Sequence, residues 1–137
     1  MSKDSKIKSF DANSPADANA QMYGLPFTTK EADIVLVPVP WEVTTSYGGG
    51  TSKGPEAIYE ASFQVDLFHP EFPDLWKRGI AMDEIPAPLQ LQSRDLKKQA
   101  AHVMRMMTEG GTKKEALRAQ KSLKLINAEC AVMNDWV

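Results

Sequence analysis

The residues best suited to bind a small ligand lie in one polar loop, the glycine loop, which runs from Trp41 to Lys53. It contains a carboxylate, a run of hydroxyl side chains and three consecutive glycines: Glu42, Thr44, Thr45, Ser46, Tyr47, Gly48, Gly49 and Gly50. Hydroxyl oxygens accept hydrogen bonds from a cationic ligand, and a carboxylate can pair with its charge. In a plainer interpretation, Thr and Ser cap turns while the glycines permit positive φ angles. Both interpretations stay open at this point.

The glycine loop lies between a predicted strand and a predicted helix. Residues 34–37, Ile-Val-Leu-Val, are typical of a strand buried on both faces of a parallel sheet, and Pro38 ends it. A helix is predicted from Pro55 to Phe63, because proline fits the first turn and Glu56 lies at the positive end of the helix dipole. Strand, loop and helix in this order predict an α/β fold, which binds ligands in such loops. Neither GxxxxGK[ST] nor GxGxxG occurs, so we do not expect a nucleotide site.

The remaining elements are predicted from periodicity and from breaker residues. Residues 1–30 have little periodicity and form an N-terminal arm, which Tyr23, Leu25 and Phe27 could anchor to a neighbouring surface. Residues 31–137 form the α/β domain. Residues 65–68 alternate apolar and polar, as in a short half-buried strand, and residues 79–83 form a second extended segment.

Two helices are predicted to complete the chain. The first begins near Ser93 as its N-cap and ends at Gly110. The second begins with the capping-box pattern of Thr112 to Glu115, and its apolar stripe contains Ile126, Cys130, Met133 and Val137.

Composition and charge exclude several functional classes. A chain of 137 residues predicts one domain, and its net charge of −2 does not favour nucleic acid or an anionic membrane as a partner. The single cysteine, Cys130, excludes an internal disulfide framework and indicates a reducing, cytoplasmic location. The sequence contains no apolar run long enough to cross a bilayer.

Metal-ligating residue types are sparse. The only histidines are His69 and His102. His69 has Asp66 and Glu71 nearby in sequence, which is weak evidence for a metal site, and we interpret both histidines as structural or solvated. We therefore predict no catalytic or metal-binding residue in this chain.

Three runs carry a family resemblance: VPVPWE, then SYGGGTSKGPEAI, then ASFQVDLF. They resemble the N-terminal part of the ureohydrolases, the arginase and agmatinase family, and above all a bacterial subgroup that also includes formimidoylglutamases. The resemblance implies an arginase-type three-layer fold with a parallel sheet. It also implies that the glycine loop lies at the rim of the active site and shapes the substrate entrance. Many members have an arginine where this chain has Tyr59, so the role of that arginine does not transfer.

The resemblance further implies hydrolysis of a guanidino or amidino C–N bond by water bound to two Mn ions, with Ni or another divalent metal as alternatives. The family's GGDH, DAHxD and SxDxD metal segments do not occur in this sequence. We therefore expect this chain to be an N-terminal part of such an enzyme, incomplete at its C-terminus and inactive alone. Family members are usually trimers or hexamers, so a homo-oligomer is expected.

A second hypothesis belongs to a different class. The chain would then be a non-catalytic interaction module that associates with full-length ureohydrolase subunits. The sequence does not specify the substrate among arginine, agmatine, formimidoylglutamate, guanidine and related compounds.

Overall fold

A computed structural model of the protein describes residues 1–17, 19–45 and 47–137. Its longer elements, in chain order, are α1 (Lys3–Ser9), β1 (Ile34–Leu36), α2 (Gly54–Ser62), β2 (Ile80–Met82), α3 (Ala87–Glu109) and α4 (Lys113–Trp136). Single turns of 3₁₀-helix span Met22–Gly24, Thr51–Lys53 and Leu75–Arg78. The chain folds into two compact units. Unit 1 contains residues 1–38 and 55–85, and unit 2 contains residues 39–54 and 86–137.

Unit 1 contains a small parallel sheet. β1 pairs with β2 in the register Ile34 with Ile80 and Leu36 with Met82. Since parallel strands need a crossover, the long segment between β1 and β2 follows from this pairing. The mixture of helices with a parallel sheet is compatible with the predicted α/β class.

The predicted arm is part of unit 1. Its side chains Met22, Leu25 and Phe27 are fully buried, and the turn Met22–Gly24 contacts β2, whose Ala81 and Met82 are also buried. Of the three residues predicted to anchor the arm, Leu25 and Phe27 are buried and Tyr23 is half-buried, and the segment also contains α1 and a helical turn.

The prediction that β1 is buried on both faces is wrong for this chain. Its residues Ile34, Val35 and Leu36, with the following Val37, are 36% to 48% exposed. Within the described residues β1 pairs only with β2, so one edge and much of both faces stay open to solvent. The sequence pattern indicates what the strand is suited to contact, whereas its exposure depends on which elements cover it.

Residues 65–68 do not form the predicted strand. Val65 and Phe68 are exposed, and the carboxylate of Asp66 accepts the backbone N–H of Phe68 at 2.9 Å. This local bond closes a turn, which competes with an extended ladder.

Unit 2 is built on the antiparallel hairpin of α3 and α4. Its buried apolar cluster contains Val43, Leu96, Ala100, Val103, Ala119 and Ile126. Trp41, Met106 and Cys130 pack against this cluster. The predicted stripe of α4 therefore faces the core at Ile126 and Cys130, whereas Val137 is exposed.

The start of α3 is predicted wrongly and the start of α4 correctly. α3 begins at Ala87, because proline at the second helical position needs no N–H partner, and Ser93 is a buried residue inside the helix. At α4 the predicted capping box is confirmed, since Thr112 and Glu115 each bind the other's backbone N–H. No helix in the described part of the chain is long and apolar enough to cross a membrane.

Candidate functional site

The glycine loop is anchored in unit 2 at its first residues. Trp41 packs against the α3–α4 cluster and Val43 is a member of it. Glu42, between them, is buried as well. An ionised carboxylate in such a position requires hydrogen-bond donors around both oxygens.

The loop itself supplies several of these donors. One carboxylate oxygen of Glu42, Oε2, accepts the backbone N–H of Gly50 at 2.8 Å and the backbone N–H of Ser52 at 3.1 Å. The Ser52 hydroxyl donates to the same oxygen at 3.1 Å. These bonds join the two ends of the loop, and both N–H groups lie at the start of the helical turn Thr51–Lys53.

Helix α3 supplies the remaining contacts of Glu42. The Lys97 ammonium forms an ion pair with Oε1 of Glu42, and the Ser93 hydroxyl accepts the backbone N–H of Glu42 at 2.7 Å. Ser93 and Lys97 are four residues apart and therefore share one face of the helix.

These donors lower the pKa of Glu42 from its ordinary value of 4.5 to about 2. The Lys97 ion pair makes the largest contribution, followed by the N–H groups of Ser52 and Gly50, while burial acts in the opposite direction. Glu42 is consequently a carboxylate anion throughout the physiological pH range.

The three glycines meet two different requirements. Gly48 and Gly50 adopt positive φ angles of 65° and 115°, which L side chains rarely adopt. Gly49 has an ordinary φ, but a Cβ there would lie 3.0 Å from Oε1 of Glu42 and 3.1 Å from Nζ of Lys97. The glycine run therefore permits the turn and also leaves room for the ion pair.

The tip of the loop is closed by a second, local bond. The Thr45 hydroxyl donates to the carbonyl oxygen of Gly48 at 2.7 Å. Tyr47 is 100% exposed and Thr44 is exposed as well, so both present hydroxyl groups to solvent. The predicted site residue Ser46 lies outside the described residues.

Among the predicted site residues that the structure describes, Glu42 is buried and Thr45 is half-buried, whereas Thr44, Tyr47, Gly48, Gly49 and Gly50 are exposed. The sequence interpretation missed Ser52, Ser93 and Lys97. The spacing of Ser93 and Lys97 on α3 was a usable signal for a shared face, but nothing local linked that face to Glu42.

The histidines lie apart from the loop contacts. His69 is exposed, and its Nδ1 accepts the backbone N–H of Glu71 at 3.2 Å. His102, on α3, has its Nδ1 3.3 Å from Nη2 of Arg105. In residues 1–17, 19–45 and 47–137, no group of three or more His, Cys, Asp or Glu side chains could hold a metal ion. The His, Cys, Asp and Glu side chains of the described residues therefore do not fit a binuclear metal centre.

Comparison with known proteins gives one partial similarity. A segment of 41 residues is 49% identical to N(1)-aminopropylagmatine ureohydrolase from Synechocystis sp. (strain ATCC 27184 / PCC 6803 / Kazusa). The segment covers 30% of this chain and 13% of the Synechocystis enzyme. No protein-family model matches the chain, and no solved structure matches it. A short part of the chain is therefore related to a ureohydrolase.

Proposed function

We propose that this chain supplies a strand, the glycine loop and the following helix to a ureohydrolase-type enzyme. That enzyme would hydrolyse a C–N bond in a guanidino or amidino compound. The observation that carries the proposal is the segment of 41 residues at 49% identity to a ureohydrolase. The order of β1, glycine loop and α2 along the chain supports it, because α/β enzymes bind ligands in loops that follow a strand.

In this proposal the exposed hydroxyls of the glycine loop contact the substrate. The oxygens of Thr44 and Tyr47 accept hydrogen bonds from a guanidinium or from the amine tail of a polyamine-like substrate. Thr45 and Gly48 hold the tip in shape through their hydrogen bond. Glu42 does not contact the substrate, since its carboxylate is bound by the loop and by Lys97.

The described residues carry no donor set for the metal pair of a ureohydrolase. We therefore assign the metal ligands to sequence outside this chain. In this proposal no residue of this chain takes part in a chemical step. Their role is to bind and orient the substrate at the entrance.

A chimera tests the proposal. Residues 32–62 of this chain, which contain β1, the glycine loop and α2, would replace the corresponding strand, loop and helix of the Synechocystis enzyme, and kcat/KM would be measured for N(1)-aminopropylagmatine. We expect a metal-loaded, folded chimera to stay within about tenfold of the parent, which corresponds to a small loss of transition-state stabilisation. A folded, metal-loaded chimera without hydrolysis would contradict the proposal.

Two controls make the result specific. Introduced into the chimera, Tyr47→Ala and Thr44→Ala should raise KM more than they lower kcat, because they remove contacts at the entrance only. The purified chain, assayed with added Mn or Ni, should release neither urea nor ammonia. Release of either product would overturn the assignment of the metal ligands.

A second candidate function rests on the exposure of β1. An apolar strand with an open edge is a template for pairing with another strand. In this proposal the chain is a non-catalytic module that associates with ureohydrolase subunits. Co-sedimentation with the Synechocystis enzyme, at unchanged activity of that enzyme, would favour it over the first proposal.

A further inference from the structure

The glycine loop contains one charged side chain that is hidden from solvent. The Glu42 side chain is only 3% exposed, although it is charged. Its carboxylate has bonds from Gly50, Ser52 and Lys97, and its backbone N–H has a bond to Ser93. Few lone pairs of the carboxylate are left for an external cation.

These contacts connect three separate pieces of unit 2. They join the beginning of the loop at Glu42, its end at Gly50 and Ser52, and helix α3 at Ser93 and Lys97. Because each bond to the carboxylate is charge-assisted, together they fix the loop more firmly than neutral hydrogen bonds would. A loop that is fixed in advance loses less conformational entropy when a ligand binds.

The glycines provide an independent geometric argument. A Cβ at Gly49 would crowd both charged atoms of the ion pair. The absence of a side chain at this position therefore serves the Glu42–Lys97 contact, and it is not required by the φ angle of Gly49. The contacts of Glu42 and the glycine at position 49 both indicate that the loop packs around a buried carboxylate.

We propose that Glu42 is a positioning residue, whose ionised carboxylate holds the glycine loop in one conformation and so presents Tyr47 at the loop tip. Lys97 is its counter-ion on α3. The ligand that contacts Tyr47 is identified only by the proposed function. The effect of Glu42 on the conformation of the loop does not depend on that function.

Amide hydrogen exchange in the purified full chain tests this inference. In the Glu42→Gln variant we expect the amides of Gly50 and Ser52 to exchange about tenfold faster or more, because they lose charge-assisted bonds to the carboxylate. Amides of α4, such as that of Ile126, should exchange at the wild-type rate. Unchanged exchange at Gly50 and Ser52 would overturn the proposal.

The Lys97 side of the pair has a matched control. Lys97→Met should accelerate the same two amides, since Lys97 is the charged group that the described residues place against Glu42. Lys98→Met, one residue further along α3, removes an exposed lysine that pairs with Asp95 and should have no effect on them. Equal effects of the two variants would contradict the role assigned to Lys97.

The wild-type chain provides a test even where Glu42→Gln does not fold. The Glu42 carboxyl carbon, followed by NMR, should remain in its ionised form at pH 4.5, where a glutamate of ordinary pKa is half protonated. Below that pH, the amide protons of Gly50 and Ser52 should shift in step with it. The inference would be overturned if Glu42 titrated with the pKa of an ordinary glutamate. It would also be overturned if the amide protons of Gly50 and Ser52 shifted independently of the Glu42 carboxyl carbon. None of these readouts requires hydrolysis, so they remain valid if the ureohydrolase proposal fails.

Discussion

The hydroxyl of Ser93, in the interior of α3, accepts the backbone N–H of Glu42 at 2.7 Å across 51 residues of sequence. Ser93 is 2% exposed, so the bond is shielded from water. A serine in the middle of a helix usually weakens it slightly. Here the cost is offset, because the hydroxyl satisfies an N–H that the glycine loop cannot satisfy itself.

Ser93→Ala should therefore destabilise the protein by about 1 to 3 kcal/mol, because it leaves the buried N–H of Glu42 without its acceptor. Urea unfolding followed by helical circular dichroism measures the change. The control is Ser122→Ala, which makes the same chemical change at a half-buried position on α4. A loss no larger than that of the control would show that the bond contributes little.

Alanine substitutions in the glycine run should separate backbone strain from crowding. Gly48→Ala introduces a side chain at a φ of 65° with nothing within 4 Å of its Cβ, so it should cost about 1 kcal/mol of strain and leave Glu42 unchanged. Gly49→Ala has no φ penalty, but it crowds the ion pair and should raise the pKa of Glu42 toward its ordinary value. NMR titration of the Glu42 carboxyl carbon distinguishes them. Equal titration in both variants would contradict the prediction.

Two carboxylates should make stability depend on pH in the acidic range. The pKa of Glu42 is lowered from 4.5 to about 2 by Lys97 and the loop amides, and the pKa of Glu31 is lowered from 4.5 to about 2 by Lys6 and Thr28. Both folded-state pKa values lie below the unfolded value. Each carboxylate therefore stabilises the fold fully above about pH 4.5, and this stabilisation is lost as the pH falls toward 2.

The measurement is the free energy of unfolding from about pH 7 to about pH 2. Glu31→Gln should flatten this dependence in unit 1, and Glu42→Gln should flatten it in unit 2, because the two carboxylates lie in different units. Amides of each unit report the two effects separately by hydrogen exchange. A pH dependence that neither substitution reduces would exclude these groups as its source.

The sequence predicts well those features that local chemistry decides. The start of α4 depends on Thr112 and Glu115, which are close in sequence and bind each other's backbone. The proline start of α2 is of the same kind, since the observed helix begins one residue before the predicted one. The composition of the glycine loop likewise identified a polar turn between a strand and a helix.

Features that depend on distant partners were not predictable in this way. The role of Glu42 follows from Lys97, which is 55 residues away, whereas loop composition alone suggested a carboxylate that pairs with a cationic ligand. The apolar pattern of β1 predicts burial, but exposure is decided by which strands and helices cover it. Ser93 has the residue type of an N-cap, whereas its hydroxyl bonds to a loop far away in sequence.

The open edge of β1 should promote self-association. Val35→Lys places a charge in the middle of the exposed strand, and lysine on an edge strand opposes pairing with another chain. We expect sedimentation velocity to show less association than for wild type at the same concentration. The control is Val132→Lys, since Val132 is an exposed valine on α4. An equal reduction by both variants would indicate a general charge effect and not strand pairing.

Tyr59 stands where the resemblance to ureohydrolases leads us to expect an arginine, and its contacts lie within unit 1. Its hydroxyl donates to the carbonyl of Ala20 at 3.0 Å, and its ring meets Phe63 edge to face at 5.3 Å. Tyr59→Phe should cost about 1 kcal/mol, because it removes the hydrogen bond and keeps the ring contact. Tyr59→Arg removes both and should cost more. Thermal unfolding measures the series, with Tyr47→Phe as the control, since that tyrosine is fully exposed and its hydroxyl should not affect stability. If Tyr59→Arg were as stable as the wild type, the tyrosine would have no structural role, and the fold would tolerate either residue at this position.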